Sequence, residues 1–129
     1  MIHEQLTERI LGCAIRVHTI LGPGMAERPY HSAMSIEMHY ERLQFEVEPA
    51  LAMTYRGIPI GHHRPDFIVE GKVVLEIKSV ARFEPVFFSQ VVTYLRVSGL
   101  SVGLLLNFNV PSMPSGIKRF VNTQNSVLP

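Results

Sequence analysis

The 129-residue chain has a single cysteine, Cys13. One cysteine excludes an intrachain disulfide and any Cys-x-x-Cys metal knuckle, and its apolar neighbours mark an ordinary buried thiol. Charge is scarce as well: Asp, Glu, Lys and Arg make up only 18% of the chain, and the net charge is +1. So few charges exclude a disordered polyelectrolyte. A near-neutral balance also excludes an overall basic footprint, so any phosphate-binding patch has to be local. No apolar run approaches the roughly 20 residues that span a bilayer. The opening Met1-Ile2-His3-Glu4-Gln5 lacks the basic-then-apolar order of a secretory signal. A cytoplasmic protein without membrane contact is expected. Internal repeats and low-complexity tracts are absent.

What is present is a core. Hydrophobic residues reach 47%, and the length fits one domain over residues 1–129. Leu6, Ile10, Cys13, Ala14, Val17 and Leu21 recur at helical spacing, and Gly22-Pro23-Gly24 ends that helix. A second helix is predicted from about Ala26 to about Arg42, provided that Pro29 lies in its first turn. From Phe45 to Tyr55 the period falls to two, as in a strand. Arg56-Gly57 turns the chain into a short extended piece, Ile58-Pro59-Ile60.

Asp66-Phe67-Ile68-Val69, then Glu70-Gly71, then Val73-Val74-Leu75-Glu76-Ile77 read as a hairpin, two β-rich runs around a glycine. Pro85 opens a helix that Gly99 closes. Val102 to Phe108 is a nearly all-apolar strand, as expected in a sheet covered on both faces. Ile117 to Val121 reads equally as an edge strand or a short helix, and the last residues read as a frayed tail. The order α-α-β-β-β-α-β implies an α/β fold, a mixed central sheet flanked by helices.

The hairpin carries the most informative side chains. Glu76 and Lys78 are two apart on one strand and share a face. Asp66 joins them only if the connection is odd. A two-residue turn would set Asp66 opposite Leu75, whereas a three-residue loop with Gly71 left-handed sets it opposite Glu76. The odd loop is expected. Two adjacent carboxylates repel unless a cation lies between them or one takes a proton. Mg²⁺ suits the place, with hard oxygen ligands and retained waters, and it activates a water against a phosphodiester. Lys78 can orient that water or meet developing negative charge. The plainer reading is that Glu-x-Lys recurs by chance on exposed strands and that Asp66 is a turn residue. Against it, Val73, Val74, Leu75 and Ile77 mark an inner strand, where charges need partners.

Pro65-Asp66 followed by Glu76-Ile77-Lys78 resembles the PD-(D/E)XK signature of metal-dependent nucleases. Gly24-Met25-Ala26-Glu27-Arg28-Pro29-Tyr30 resembles the motif that names the GxxExxY protein family of that superfamily. Tyr30 to Met38, Val102 to Phe108, and Gly116 to Phe120 extend the likeness over nearly the whole chain.

The resemblance implies a restriction-endonuclease-like core and a nuclease that hydrolyses nucleic acid, DNA in particular, with Mg²⁺ or Mn²⁺. Asp66 and Glu76 would hold the metal, with Glu27 completing or supporting the site, and Lys78 would be the catalytic lysine. Gln90 and Tyr94 match a Gln-x-x-x-Tyr seen in RecB-like relatives and share one helix face. His63 and Arg64, just before Pro65-Asp66, are candidates for phosphate contacts, or else a solvated strand end. Arg16, Arg82, Lys118 and Arg119 are candidates for a dispersed basic rim. Tyr30, Met34 and Met38 read as core, and His18, His31 and His39 show no zinc spacing. The rival readings are a catalytically inactive nucleic-acid- or protein-binding module that keeps the fold, and a subunit that needs a protein partner or a homo-oligomer. The near-neutral charge and Phe87-Phe88, an apolar pair before Gln90, suit the first rival, and the small size of the domain suits the second.

Overall fold

The computed structural model describes residues 1–122; the C-terminal residues read above as a tail lie outside the described ones. Two helices come first, α1 (Glu4–Leu21) and α2 (Glu27–Tyr40). Five strands follow: β1 (Phe45–Val47), β2 (Leu51–Tyr55), β3 (Ile58–His63), β4 (Phe67–Val69) and β5 (Val73–Lys78). Helix α3 (Pro85–Ser98) leads to β6 (Val102–Asn107), a 3₁₀ turn (Met113–Gly116) and β7 (Ile117–Val121). Among the described residues, no helix is long and apolar enough to cross a membrane.

The main sheet has five strands in the order β1-β4-β5-β6-β7. Among the described residues only β5 and β6 run parallel, and α3 is their crossover; the other neighbours are antiparallel. This is the mixed sheet flanked by helices that the sequence implies. β2 and β3 form a separate two-stranded ribbon.

Strand alternation divides the core. Val73, Leu75 and Ile77 of β5 join Leu104 and Leu106 of β6 in one cluster with Ile10, Cys13, Tyr30 and Met34 from α1 and α2. Val74 turns to the other side and meets Ile68, Tyr94 and Leu95 under α3. Every residue of β6 is buried, as expected of a strand covered on both faces. Two glycines allow the layers to approach. A Cβ on Gly103 would lie 2.7 Å from Val91 Cγ1 of α3. A Cβ on Gly116 would lie within van der Waals radii of the Asn107 carbonyl oxygen, backbone that cannot swing aside. Gly116→Ala should therefore cost about 2 kcal/mol or more through overpacking, read as a lower urea midpoint with an unchanged m-value.

The alternation from Phe45 to Tyr55 is not one strand. It breaks at Glu48, where φ is +49°, and the halves β1 and β2 enter different sheets. The short extended piece after Arg56-Gly57 is a six-residue strand, β3. Pairing with β6 makes Ile117–Val121 an edge strand. The second helix is shorter than its periodicity suggests, and Pro29 lies in its first turn, where a missing N–H costs little. Arg16 pairs with Glu37 and Glu41 on the seam between α1 and α2.

Candidate functional site

The β4–β5 connection fixes the site's parity. Val69 pairs with Val73, so Glu70, Gly71 and Lys72 form a three-residue loop. Glu70 and Gly71 both have positive φ, +54° and +64°. The Lys72 N–H closes the turn on the Val69 carbonyl at 2.9 Å. Counting back from Phe67 opposite Leu75 sets Asp66 beside Glu76. Their bonds are reciprocal. The Asp66 N–H donates to Glu76 Oε1 at 3.0 Å, and the Ile77 N–H donates to Asp66 Oδ2 at 2.7 Å. Each carboxylate thus spends one oxygen on backbone and keeps the other, Asp66 Oδ1 and Glu76 Oε2.

The electrostatics follow from that closeness. Glu76 is 5% exposed, and its carboxyl is raised to about 8, first by burial and then by the charge of Asp66, against the opposing pull of the Asp66 N–H and of Lys78. Lys78 Nζ stands 3.5 Å from Glu76 Oε2 and 5.0 Å from the centroid of the Phe87 ring. Phe87 of the apolar pair is therefore a floor for the lysine, in cation–π range. Phe88 packs with Phe83 and Phe120. Val80 anchors the end of β5: its N–H reaches Asn107 Oδ1, and its carbonyl takes the Asn107 amide.

Glu27 arrives through the Gly-x-x-Glu-x-x-Tyr segment, whose logic is structural. Gly24 has φ +101°. The buried Tyr30 ring stacks on Phe108 at 4.8 Å. Its hydroxyl donates to the Gly22 carbonyl and accepts from the Met25 N–H. The loop before α2 is pinned, and Glu27 begins the helix at its positive end. Glu27 stands at the exposed rim of a cleft of about 180 Å³ that it shares with Arg28, His31, Glu48 and Asp66. Its carboxyl is raised, chiefly by partial desolvation, with Lys78 opposing and Asp66 adding to the rise.

The flanking candidates are spread more widely. Tyr94 is buried under α3, and its hydroxyl is pushed up by burial and then by the charges of Glu76 and Asp66. The His63 ring meets it edge-on at 5.7 Å. Gln90 is half-buried one turn earlier on α3. Arg64 is exposed and leans on the Glu48 carbonyl and His62. The structure brings Asp66, Glu76 and Lys78 into direct contact, sets Glu27 and Tyr94 within electrostatic reach, and leaves Arg64 on the outer side.

Two residues were not singled out by the sequence as part of this centre. The His31 Nε2 atom lies 3.6 Å from Asp66 Oδ1 and 4.0 Å from Glu48 Oε1. The signal for His31 was there: it follows Glu27 by four residues and so shares its helix face. Glu48 had none: tertiary contacts bring it in, its N–H bonding to the Asp66 carbonyl and its carboxylate pairing with Arg28.

A hydrogen-bonded acid pair with an adjacent lysine, at the end of an inner strand of a mixed sheet, defines a candidate cation centre on an α/β scaffold. The chain matches the PD-(D/E)XK nuclease superfamily over residues 4–120, and it belongs to that superfamily. No curated protein and no solved structure matches it.

Proposed function

We propose that the chain is a metal-dependent nuclease that hydrolyses phosphodiester bonds of nucleic acid, with DNA as substrate, acting in the cytoplasm as one domain of the GxxExxY type. The observation that carries this reading is the Asp66–Glu76 pair, two carboxyls held side by side with the proton of Glu76 retained to about pH 8. A divalent cation relieves that repulsion, and an all-oxygen donor set from Asp66, Glu76 and Glu27 suits Mg²⁺ or Mn²⁺. When bound, such an ion supplies charge neutralisation at the phosphoryl group and a more acidic water.

The chain's own residues do the rest. Lys78, held between Glu76 and the Phe87 ring, presents a fixed positive charge to a phosphate oxygen. Tyr94 stays protonated, because burial, and after it the neighbouring acids Glu76 and Asp66, disfavour its anion, and so it remains a hydrogen-bond donor. Gln90, His63 and Arg64 serve as polar contacts to the nucleic-acid backbone.

The test is incubation of the purified chain with single- and double-stranded DNA and RNA in Mg²⁺ or Mn²⁺. DNA cleavage that a chelator abolishes is expected, with Lys78→Met lowering the rate by about 10²-fold or more. The methionine keeps the apolar stem on Phe87 and removes only the charge. Failure to cut any of the four substrates, or an unaltered rate in the variant, refutes the reading. The near-neutral chain gives the second reading its support, a binding module that keeps the fold and works with a protein partner or as an oligomer. Metal binding without turnover distinguishes it.

A further inference from the structure

The cleft beside the acid pair contains chemistry that phosphodiester hydrolysis does not use. His31 is 4% exposed, and its Nε2 atom is buried without a hydrogen-bond partner. It faces Asp66 Oδ1 at 3.6 Å and Glu48 Oε1 at 4.0 Å. The three ligand atoms lie within 4.8 Å of one another. We propose that His31, Glu48 and Asp66 form a second cation site, sharing Asp66 with the acid pair, that takes a divalent transition metal of the Zn²⁺ class.

Geometry and ligand type support this assignment. Ligands bound to one Zn²⁺ at about 2.1 Å in tetrahedral array lie roughly 3.4 Å apart, so the two contacts of His31 Nε2 close by well under an ångström and the remaining separation by at most about 1.4 Å. An imidazole among two carboxylates favours Zn²⁺ over Mg²⁺, which prefers oxygen alone. Asp66 Oδ1 is the oxygen left over from the Ile77 N–H. The His31 ring is held flat on Phe67 at 4.4 Å, which leaves Nε2 aimed into the cleft. Three protein ligands leave a fourth position for water or an anion, as in reactive zinc sites.

Arg28 holds the opposite edge of the His31 ring. Its guanidinium bridges His31 Nδ1 at 3.3 Å and Glu48 Oε1 at 3.3 Å. Metal at Nε2 puts the ring proton on Nδ1, and Arg28 must then swing away. Its side chain is 68% exposed, so it leaves at little cost.

The experiment is isothermal titration of tag-free protein with Zn²⁺, and separately with Mg²⁺, without nucleic acid. Glu48→Gln is expected to weaken Zn²⁺ by about tenfold or more, and His31→Gln by at least as much. Glu76→Gln should keep Zn²⁺ binding within about threefold and lose Mg²⁺, while Arg28→Ala binds Zn²⁺ as tightly as the parent or more so. Because Glu48 is half-exposed, its variant folds even if the buried His31 variant does not. Zn²⁺ affinity unchanged in Glu48→Gln, or lost in Glu76→Gln and not in Glu48→Gln, overturns the site and leaves the nuclease reading intact. Loss in Glu48→Gln from a protein that cuts nothing supports the site and counts only against the nuclease reading.

Discussion

Glu76→Gln is expected to raise the melting temperature of the metal-free protein at pH 8.5 while removing its Mg²⁺ binding. In the unfolded chain Glu76 releases its proton near the ordinary 4.5, but in the folded protein it holds it to about 8. The folded value lies above the unfolded one, so the group's stabilising share is complete below about pH 4.5 and is lost as pH rises through about 8. Between those values the folded state binds more protons, and each unit of pH removes up to about 1.4 kcal/mol.

Glutamine never pays that cost. Its carbonyl oxygen can keep the bond from the Asp66 N–H, and its amide can donate to the Asp66 carboxylate. Only the Lys78 contact is weakened. A gain of about 2 kcal/mol at pH 8.5 corresponds to roughly 6–10 °C in a chain of this size, with little difference at pH 4.5. Mg²⁺ should reverse the order by stabilising the parent alone. Equal offsets at the two pH values, or a variant less stable at both, would show that the acid pair is not strained.

The prediction rests on geometry that was largely legible in the sequence, and the reason is parity. Gly71 tolerates positive φ, a three-residue loop flips the register by one, and one flip decides whether Asp66 faces Glu76 or Leu75. Pro85 and Gly99 mark α3 because one lacks an N–H and the other a Cβ, both local properties. What stayed hidden depends on distant partners. Alternation runs straight through Glu48 because β1 and β2 each alternate, and the break is marked by its positive φ and by the bond from its N–H to the Asp66 carbonyl. Ile117–Val121 becomes a strand because β6 offers an edge. His31 was visible on the Glu27 face, but its meeting with Glu48 is made by tertiary contact between a helix and a loop.

Asp66→Asn should have the largest effect on activity, a loss of about 10³-fold or more, equivalent to roughly 4 kcal/mol of transition-state stabilisation. Asp66 is the one side chain common to the acid pair and to the His31–Glu48 cleft, so its substitution weakens both cation sites, whereas Glu76→Gln and Glu48→Gln each weaken one. Asparagine is nearly isosteric, and its carbonyl oxygen can still accept the Ile77 N–H, so the β4–β5 hairpin should persist and the loss should not come from unfolding.

A second readout separates charge from shape. The negative charge of Asp66 is the second largest cause of the raised Glu76 carboxyl, after burial. Removing it should move the Glu76 titration down toward the ordinary range, measured by carbon NMR of the labelled carboxyl. A variant that cuts within about tenfold of the parent, or a Glu76 titration that does not move, would mean that the two carboxyls do not act as a pair. In that case the physical basis for a cation at the end of β5 would be gone, whatever the superfamily of the chain.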